Sequence, residues 1–141
     1  MSRDEIEALI DRRQRAWNAR DAHALALDHA EDGAVESPLA GGSATGREAI
    51  EKLYATYFRA FTDFKLEQRD LLIDGDRVAL FAWISGTDRG GFMGMEPTGR
   101  AVKISIAFIY EFRDGLIVSE HRIYDFTGVL IQIGMLKAKP G

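Results

Sequence analysis

The hydrophobic period of this chain changes once, near residue 64, and that change limits the folds open to it. Before it, apolar residues recur three and four apart, as on one face of a helix. Ile6, Leu9, Ile10 and Trp17 form one stripe, and Ile50, Leu53, Tyr54, Tyr57, Phe58 and Phe61 form a stronger one. Ser2 with Glu5, and Thr45 with Glu48, match the capping-box spacing that starts a helix, and Asp21 can cap a short helix carrying Leu25 and Leu27. Residues 38–46 hold Pro38 and three glycines and read as a loop. After residue 64 the runs are β-rich, and Asp74-Gly75 and Asp114-Gly115 sit between them as two-residue hairpin turns. Helices followed by an antiparallel meander predict an α+β layer fold with helices on one face of the sheet.

The second Asp-Gly turn predicts a register. With Asp114 and Gly115 as the loop, Arg113 faces Leu116, Phe112 faces Ile117, Tyr110 faces Ser119, Phe108 faces His121, Ile106 faces Ile123 and Ile104 faces Asp125. Ile104, Ile106, Phe108, Tyr110 and Phe112 then make an apolar inner face, because side chains alternate along a strand. On the next strand that face carries Ser119, His121 and Asp125 among Ile117 and Ile123, and polar groups facing an apolar interior are either paired or line a cavity. The outer face holds Ala107, Ile109, Leu116, Val118 and Tyr124, bordered by Lys103, Glu111, Glu120 and Arg122. An apolar centre with a charged rim predicts a homodimer.

Bulk properties exclude several functions. The 141 residues suit one domain spanning 1–141. The net charge of -4, with Lys and Arg scattered, argues against nucleic acid as a partner. With no cysteine, disulfides, thiolate metal sites and a Cys nucleophile are impossible. His23 and His29 lack a third ligand at metal spacing, so no metal is expected. The charged N-terminus does not read as a signal peptide, and the longest apolar run, Val78 to Ile84, is too short to cross a bilayer, so the expectation is a cytoplasmic protein with no membrane partner. No Gly-x-Ser-x-Gly elbow or phosphate-binding glycine motif occurs.

Three stretches carry a family likeness: Gly86-Thr87-Asp88 leading through GGFMGMEPTGRAV, then FRDGLIVSEHRIYD, then FTGVLIQIG. AWNARDAHAL and GSATGREAIEKLY add to it. Over roughly residues 3–135 the chain resembles the SnoaL-like polyketide cyclases, a branch of the nuclear-transport-factor-two-like superfamily. The resemblance implies a cone-like fold in which a curved sheet wraps around N-terminal helices and encloses an apolar pocket for a hydrophobic small molecule. It also implies a frequent homodimer and an acid/base Asp at the end of the HRIYD strand, here Asp125. The chain departs from the family in having Asp88 where His is frequent and Phe108 where an acidic residue is frequent.

Asp125 therefore has two readings, a general base in an apolar pocket or the N-cap of a short helix over FTGVLIQ. His121, about 13 Å along the strand from Asp125, is a helper or a core residue. Asp88 is a second carboxylate or a turn residue paired with Arg89. The glycine-rich segment 86–100, with Phe92 and Met93, is a pocket lid or a long β-connection. Trp17, Tyr54, Tyr57 and Trp83 are pocket-wall or plain core aromatics, and Ile104, Ile106, Phe108, Tyr110 and Ile123 line the same interior. The leading expectation is a cofactor-independent enzyme moving a proton on a hydrophobic, carbonyl-bearing substrate, as in cyclisation or isomerisation. The alternative is a non-catalytic ligand-binding or dimerisation module. A water-activating hydrolase needs a second polar cluster, which is not evident.

Overall fold

A computed structural model describes residues 1–38 and 42–137. Helices α1 (Arg3–Asn18) and α2 (Ala22–Leu27) precede strands β1 (His29–Ser37) and β2 (Gly42–Thr45), then α3 (Arg47–Ala60), β3 (Lys65–Asp74), β4 (Arg77–Thr87), β5 (Ala101–Arg113), β6 (Leu116–Ile123) and α4 (Phe126–Gln132). The six strands form one curved, unclosed sheet in the order β2-β1-β6-β5-β4-β3. The α+β expectation holds, with two changes. Residues 29–37 and 42–45 are a strand pair rather than helix-to-loop connection, and β1 pairs parallel with β6, so the sheet is mixed. Part of the expected loop, residues 39–41, lies outside the described residues.

The helix starts follow the capping logic in two of three cases. Ser2 and Glu5 form the reciprocal capping box of α1, and Asp21 accepts from the Ala24 N–H at α2. At α3 the N-cap is Gly46 with no side-chain bond, so the Thr45–Glu48 box does not form. Thr45 is instead committed to β2, paired with Ala34. The α1 stripe buries Ile6, Ile10 and Trp17, and with them Arg13, a charged residue at the same helical spacing. The α3 stripe buries Ile50, Leu53, Tyr54, Tyr57 and Phe58.

The Asp114-Gly115 turn forms as expected, both residues having positive φ, and Arg113 faces Leu116. The other hairpin differs by one residue: Asp74 pairs with Arg77, so its loop is Gly75-Asp76. The inner face of β5 is the predicted one, with Ile104, Ile106, Phe108, Tyr110 and Phe112 all buried.

The inner face of β6 is not. Phe112 faces Ile117, but Glu111 faces Ser119, Tyr110 faces Glu120 and Phe108 faces Arg122. Val118 is thus an extra residue, a β-bulge, and a one-residue slip turns every later side chain to the opposite face. Glu120 and Arg122 point inward, at 0% and 2% exposure, while His121 and Ile123 lie outside, each half exposed. The neighbouring β1 is irregular at the same level. An added Cβ on Gly33 would stand 3.0 Å from both the Ala30 and Ile117 carbonyl oxygens, so any larger residue would have to push this backbone apart by a few tenths of an ångström.

Candidate functional site

The bulge assembles a polar cluster inside the sheet. Arg13 comes from α1, Asp28 from the end of α2, His29 from β1, Tyr54 from α3, and Glu120 and Arg122 from β6. Arg13 donates to Asp28 at 2.9 Å, to the Tyr54 hydroxyl at 2.7 Å and to Glu120 at 3.4 Å. The Tyr54 hydroxyl donates to Glu120 Oε1 at 2.7 Å, and Arg122 Nε donates to Glu120 Oε2 at 2.6 Å. Since Tyr54 spends its proton on Glu120, the 2.9 Å contact from His29 Nε2 to the Tyr54 oxygen requires the tautomer with hydrogen on Nε2. Two arginines and two carboxylates balance in the cluster, and Arg12 adds a second, more exposed contact to Asp28 at 2.6 Å.

The electrostatics follow from burial and pairing. Burial alone would raise the Glu120 carboxyl, but Arg122 and the other cluster charges reverse this and hold it down to about 2. Burial and the adjacent arginines press His29 down to about 4, despite the attraction of Glu120, so the ring is neutral at pH 7. Burial, opposed by the Arg13 charge and reinforced by Glu120, leaves the Tyr54 phenol above its ordinary range. Burial and the nearby Tyr57 likewise raise Tyr124. Both stay protonated near neutrality.

Arg122 is where this cluster meets the apolar interior. It lines a narrow crevice of about 10 Å³ together with Trp17, Tyr57, Phe64, Ile84, Ile106, Phe108 and Tyr124. A second crevice of about 20 Å³ shares Tyr57, Phe64, Ile84 and Tyr124 and continues toward Phe61, Phe92, Val102, Ile104 and Val129. Each holds about one water; they are two adjoining slots, not an open chamber. The Tyr57 and Tyr124 hydroxyls, on the walls of both slots, are hydrogen-bonded to each other, and Ser37 is 3.3 Å from the Tyr57 hydroxyl. Among the described lining residues the polar groups are Arg122, Tyr57, Tyr124, Ser85 and the Trp17 indole; no carboxylate faces the slots.

The three residues expected to do chemistry lie elsewhere. Asp125 is exposed and is the N-cap of α4, accepting from the Gly128 N–H at 2.8 Å. It borders an open outer groove with Phe81, Trp83 and Ile123. His121 lies on the outer face, 3.8 Å from Glu36, because the bulge turned it there. Asp88 is buried, but its carboxylate accepts from the Gly91 N–H and from the Thr98 N–H and hydroxyl, closing the loop 88–98 rather than pairing with Arg89. That loop packs tightly on α3: an added Cβ on Gly90 would lie 1.8 Å from the Arg59 carbonyl oxygen.

Of the expected wall residues, Trp17, Tyr57, Phe92, Ile104, Ile106 and Phe108 do line the slots. Tyr54 and Tyr110 are buried within and beside the polar cluster. Trp83, Met93 and Ile123 do not face the interior. Trp83 is on the outer face between the Arg69 and Lys103 cations, Met93 is exposed on the loop and Ile123 is turned out by the bulge. Glu120, Arg122 and Arg13 were missed. Their signals were opposite charges two apart on one strand, and a charge at position 13 of an otherwise apolar helical stripe.

A curved sheet over three N-terminal helices is the architecture of the ketosteroid isomerase-like fold. The family model for SnoaL-like polyketide cyclase matches residues 7–133, and the chain belongs to that family. AclR from Streptomyces galilaeus is 28% identical with a TM-score of 0.84, over 99% of this chain and 87% of that one. IdmH from Streptomyces antibioticus is 29% identical with a TM-score of 0.73, over 93% and 96%. A ketosteroid isomerase-like protein from Catenulispora acidiphila, solved with trimethylamine, shares the fold at 22% identity and a TM-score of 0.76, over 95% of each chain. A comparison with curated protein sequences finds no match. Among the described residues no helix is long and apolar enough to cross a membrane, and no cluster of His, Asp or Glu suited to a metal ion occurs.

Proposed function

We propose that this chain is a small-molecule enzyme of the polyketide-cyclase type, acting on a hydrophobic, carbonyl-bearing substrate held in the crevice between α1, α3 and the sheet. The observation that carries this reading is the crevice lining: apolar walls with Arg122, Tyr57 and Tyr124 as hydrogen-bond donors. Donors fixed in a water-poor site stabilise negative charge developing on a carbonyl oxygen, as in enolisation. In this reading Arg122, braced by Glu120, stabilises the oxyanion. The Tyr57–Tyr124 pair, continued to Ser37, donates a proton to that oxygen, and the α-proton passes to a water that enters with the substrate. The acid role thus moves from Asp125 to the tyrosines. Because the slots are so narrow, entry requires the Phe92 ring, packed on Tyr57, Phe61 and Phe126, to swing away.

The absence of a carboxylate among the described lining residues favours a second reading, a ligand-binding module without chemistry. Deuterium exchange separates the two. With 2-tetralone in heavy water, an enzyme accelerates exchange at the α-carbon, and Tyr124→Phe slows it by about 10² or more. Binding with no acceleration above the protein-free rate selects the module. Failure to bind removes both.

The homodimer is carried by the outer sheet face as the bulge leaves it. Val118 sits at the bulge, and Tyr124, Glu120 and Arg122 turn inward and drop out of the expected patch, while Ala107, Ile109 and Leu116 remain. Leu72, Phe81 and Ile123, at 62%, 42% and 50% exposure, join them around Trp83. A second copy on this face covers an apolar surface that a monomer leaves in water.

A further inference from the structure

Two residues that line the crevice, Arg122 and Trp17, carry buried donors with no acceptor among the described residues. Arg122 commits Nε to Glu120, but its Nη2 meets no acceptor among the described residues. The Trp17 indole Nε1 is also without one. Both side chains are at least nine-tenths buried, both line the same slot, and the Arg122 guanidinium lies 5.5 Å from the Trp17 ring centre. Buried donors without a partner are rare, and two together on a cavity wall point to an oxygen that arrives with a ligand.

Charge decides which oxygen. Glu120 is 2.6 Å from Arg122, and Arg13 is held between Asp28 and Glu120, so the buried arginines are already matched by buried carboxylates. Elements packed on the cluster add the neutral His29 and Tyr54 and the outlying Arg12. An anionic head would lose its hydration without meeting an uncompensated positive charge. A neutral carbonyl oxygen loses little hydration and gains two N–H groups. We propose that Arg122 and Trp17 together hold the carbonyl oxygen of an uncharged ligand, a ketone or ester rather than a free acid, with its apolar body directed toward Phe92 and Val129. This rests on the crevice being the ligand site.

Equilibrium dialysis with three size-matched probes at pH 7 tests it: 2-acetylnaphthalene, 2-ethylnaphthalene and 2-naphthoate. The ketone should bind at least about tenfold more tightly than the hydrocarbon, since a site built to hydrogen-bond rejects an analogue lacking the acceptor, and more tightly than the carboxylate by a similar factor. Trp17→Phe keeps an aromatic ring and removes the N–H; it should weaken the ketone several-fold and leave the hydrocarbon unchanged. Glu120→Gln unmasks the Arg122 charge and should shift preference at least about tenfold toward naphthoate, a reversal that mere loosening of the fold does not produce. If circular dichroism shows that variant unfolded, Trp17→Phe decides alone. Equal binding of ketone and hydrocarbon by the unaltered protein, or a preference for naphthoate, overturns the proposal while leaving the crevice as the ligand site. No binding of any probe removes the crevice reading as well.

Discussion

Arg122 donates to Glu120 at 2.6 Å from a position two residues further along the same strand, and both side chains are buried beneath the helices. Residues two apart share a face, so one strand supplies both halves of the ion pair. Tyr54 and Arg13 supply the remaining bonds to Glu120.

Arg13 joins α1 to that pair, so its loss leaves Asp28 with only the more exposed Arg12 and the buried cluster one positive charge short. We expect Arg13→Met to cost about 3–5 kcal/mol, the usual range for breaking one side of a buried ion pair. Arg13→Lys should recover little, because a lysine cannot reproduce the forked bonds to Asp28, Tyr54 and the Leu25 carbonyl. Urea unfolding of the three proteins checks both.

His29 sets a pH limit. Its folded value lies near 4, below the ordinary 6.5, so between these values the unfolded chain binds the extra proton. Stability therefore falls as pH drops through that window, and the loss from pH 7 to pH 5 is about 2 kcal/mol. Glu120, held near 2, adds a further loss below about pH 4.5, in the same direction. Urea midpoints at pH 7 and pH 5 measure the first step. His29→Gln should make them nearly equal; an unchanged difference would assign the step to another group.

Asp125 caps α4, and its substitutions should behave accordingly. Asp125→Ala is expected to lower stability by about 1 kcal/mol, visible in the melting temperature, whereas Asp125→Asn stays within a few tenths. Exchange of 2-tetralone should be unchanged in both. A large loss of exchange in the Asn variant with an unchanged melting temperature would return the acid/base role to Asp125.

Asp88 closes the loop that carries Phe92. Asp88→Ala leaves the Gly91 and Thr98 N–H groups without their acceptor. A loss of about 1–3 kcal/mol is expected, concentrated in this loop. Trypsin should then cut at Arg89 or Arg100, both exposed, at least several-fold faster than in the unaltered chain.

Phe81→Lys and Ile123→Lys place charge on the outer sheet face, which we read as the dimer surface. Light scattering at micromolar concentration should give a dimer for the unaltered chain and a monomer for the double variant. A monomer for both would remove that interface.

Local pattern alone was enough for much of the fold. The 3.6-residue stripes of α1 and α3, the caps at Ser2 and Asp21, the positive-φ turn at Asp114-Gly115 and the inner face of β5 each depend on a few neighbouring residues, and each is legible in their order. The resemblance to SnoaL-like cyclases was legible for the same reason, being carried by short contiguous stretches. The interior of the site was not. Whether Glu120 and Arg122 or His121 and Ile123 face inward depends on one extra residue, Val118, at a bulge beside a parallel strand some ninety positions earlier in the chain. Alternation fixes which residues share a face but not which face is buried. That choice was made where Arg13, Asp28 and Tyr54 meet from three separate helical segments, because only their combined charges and hydrogen bonds make an inward Glu120 and Arg122 affordable.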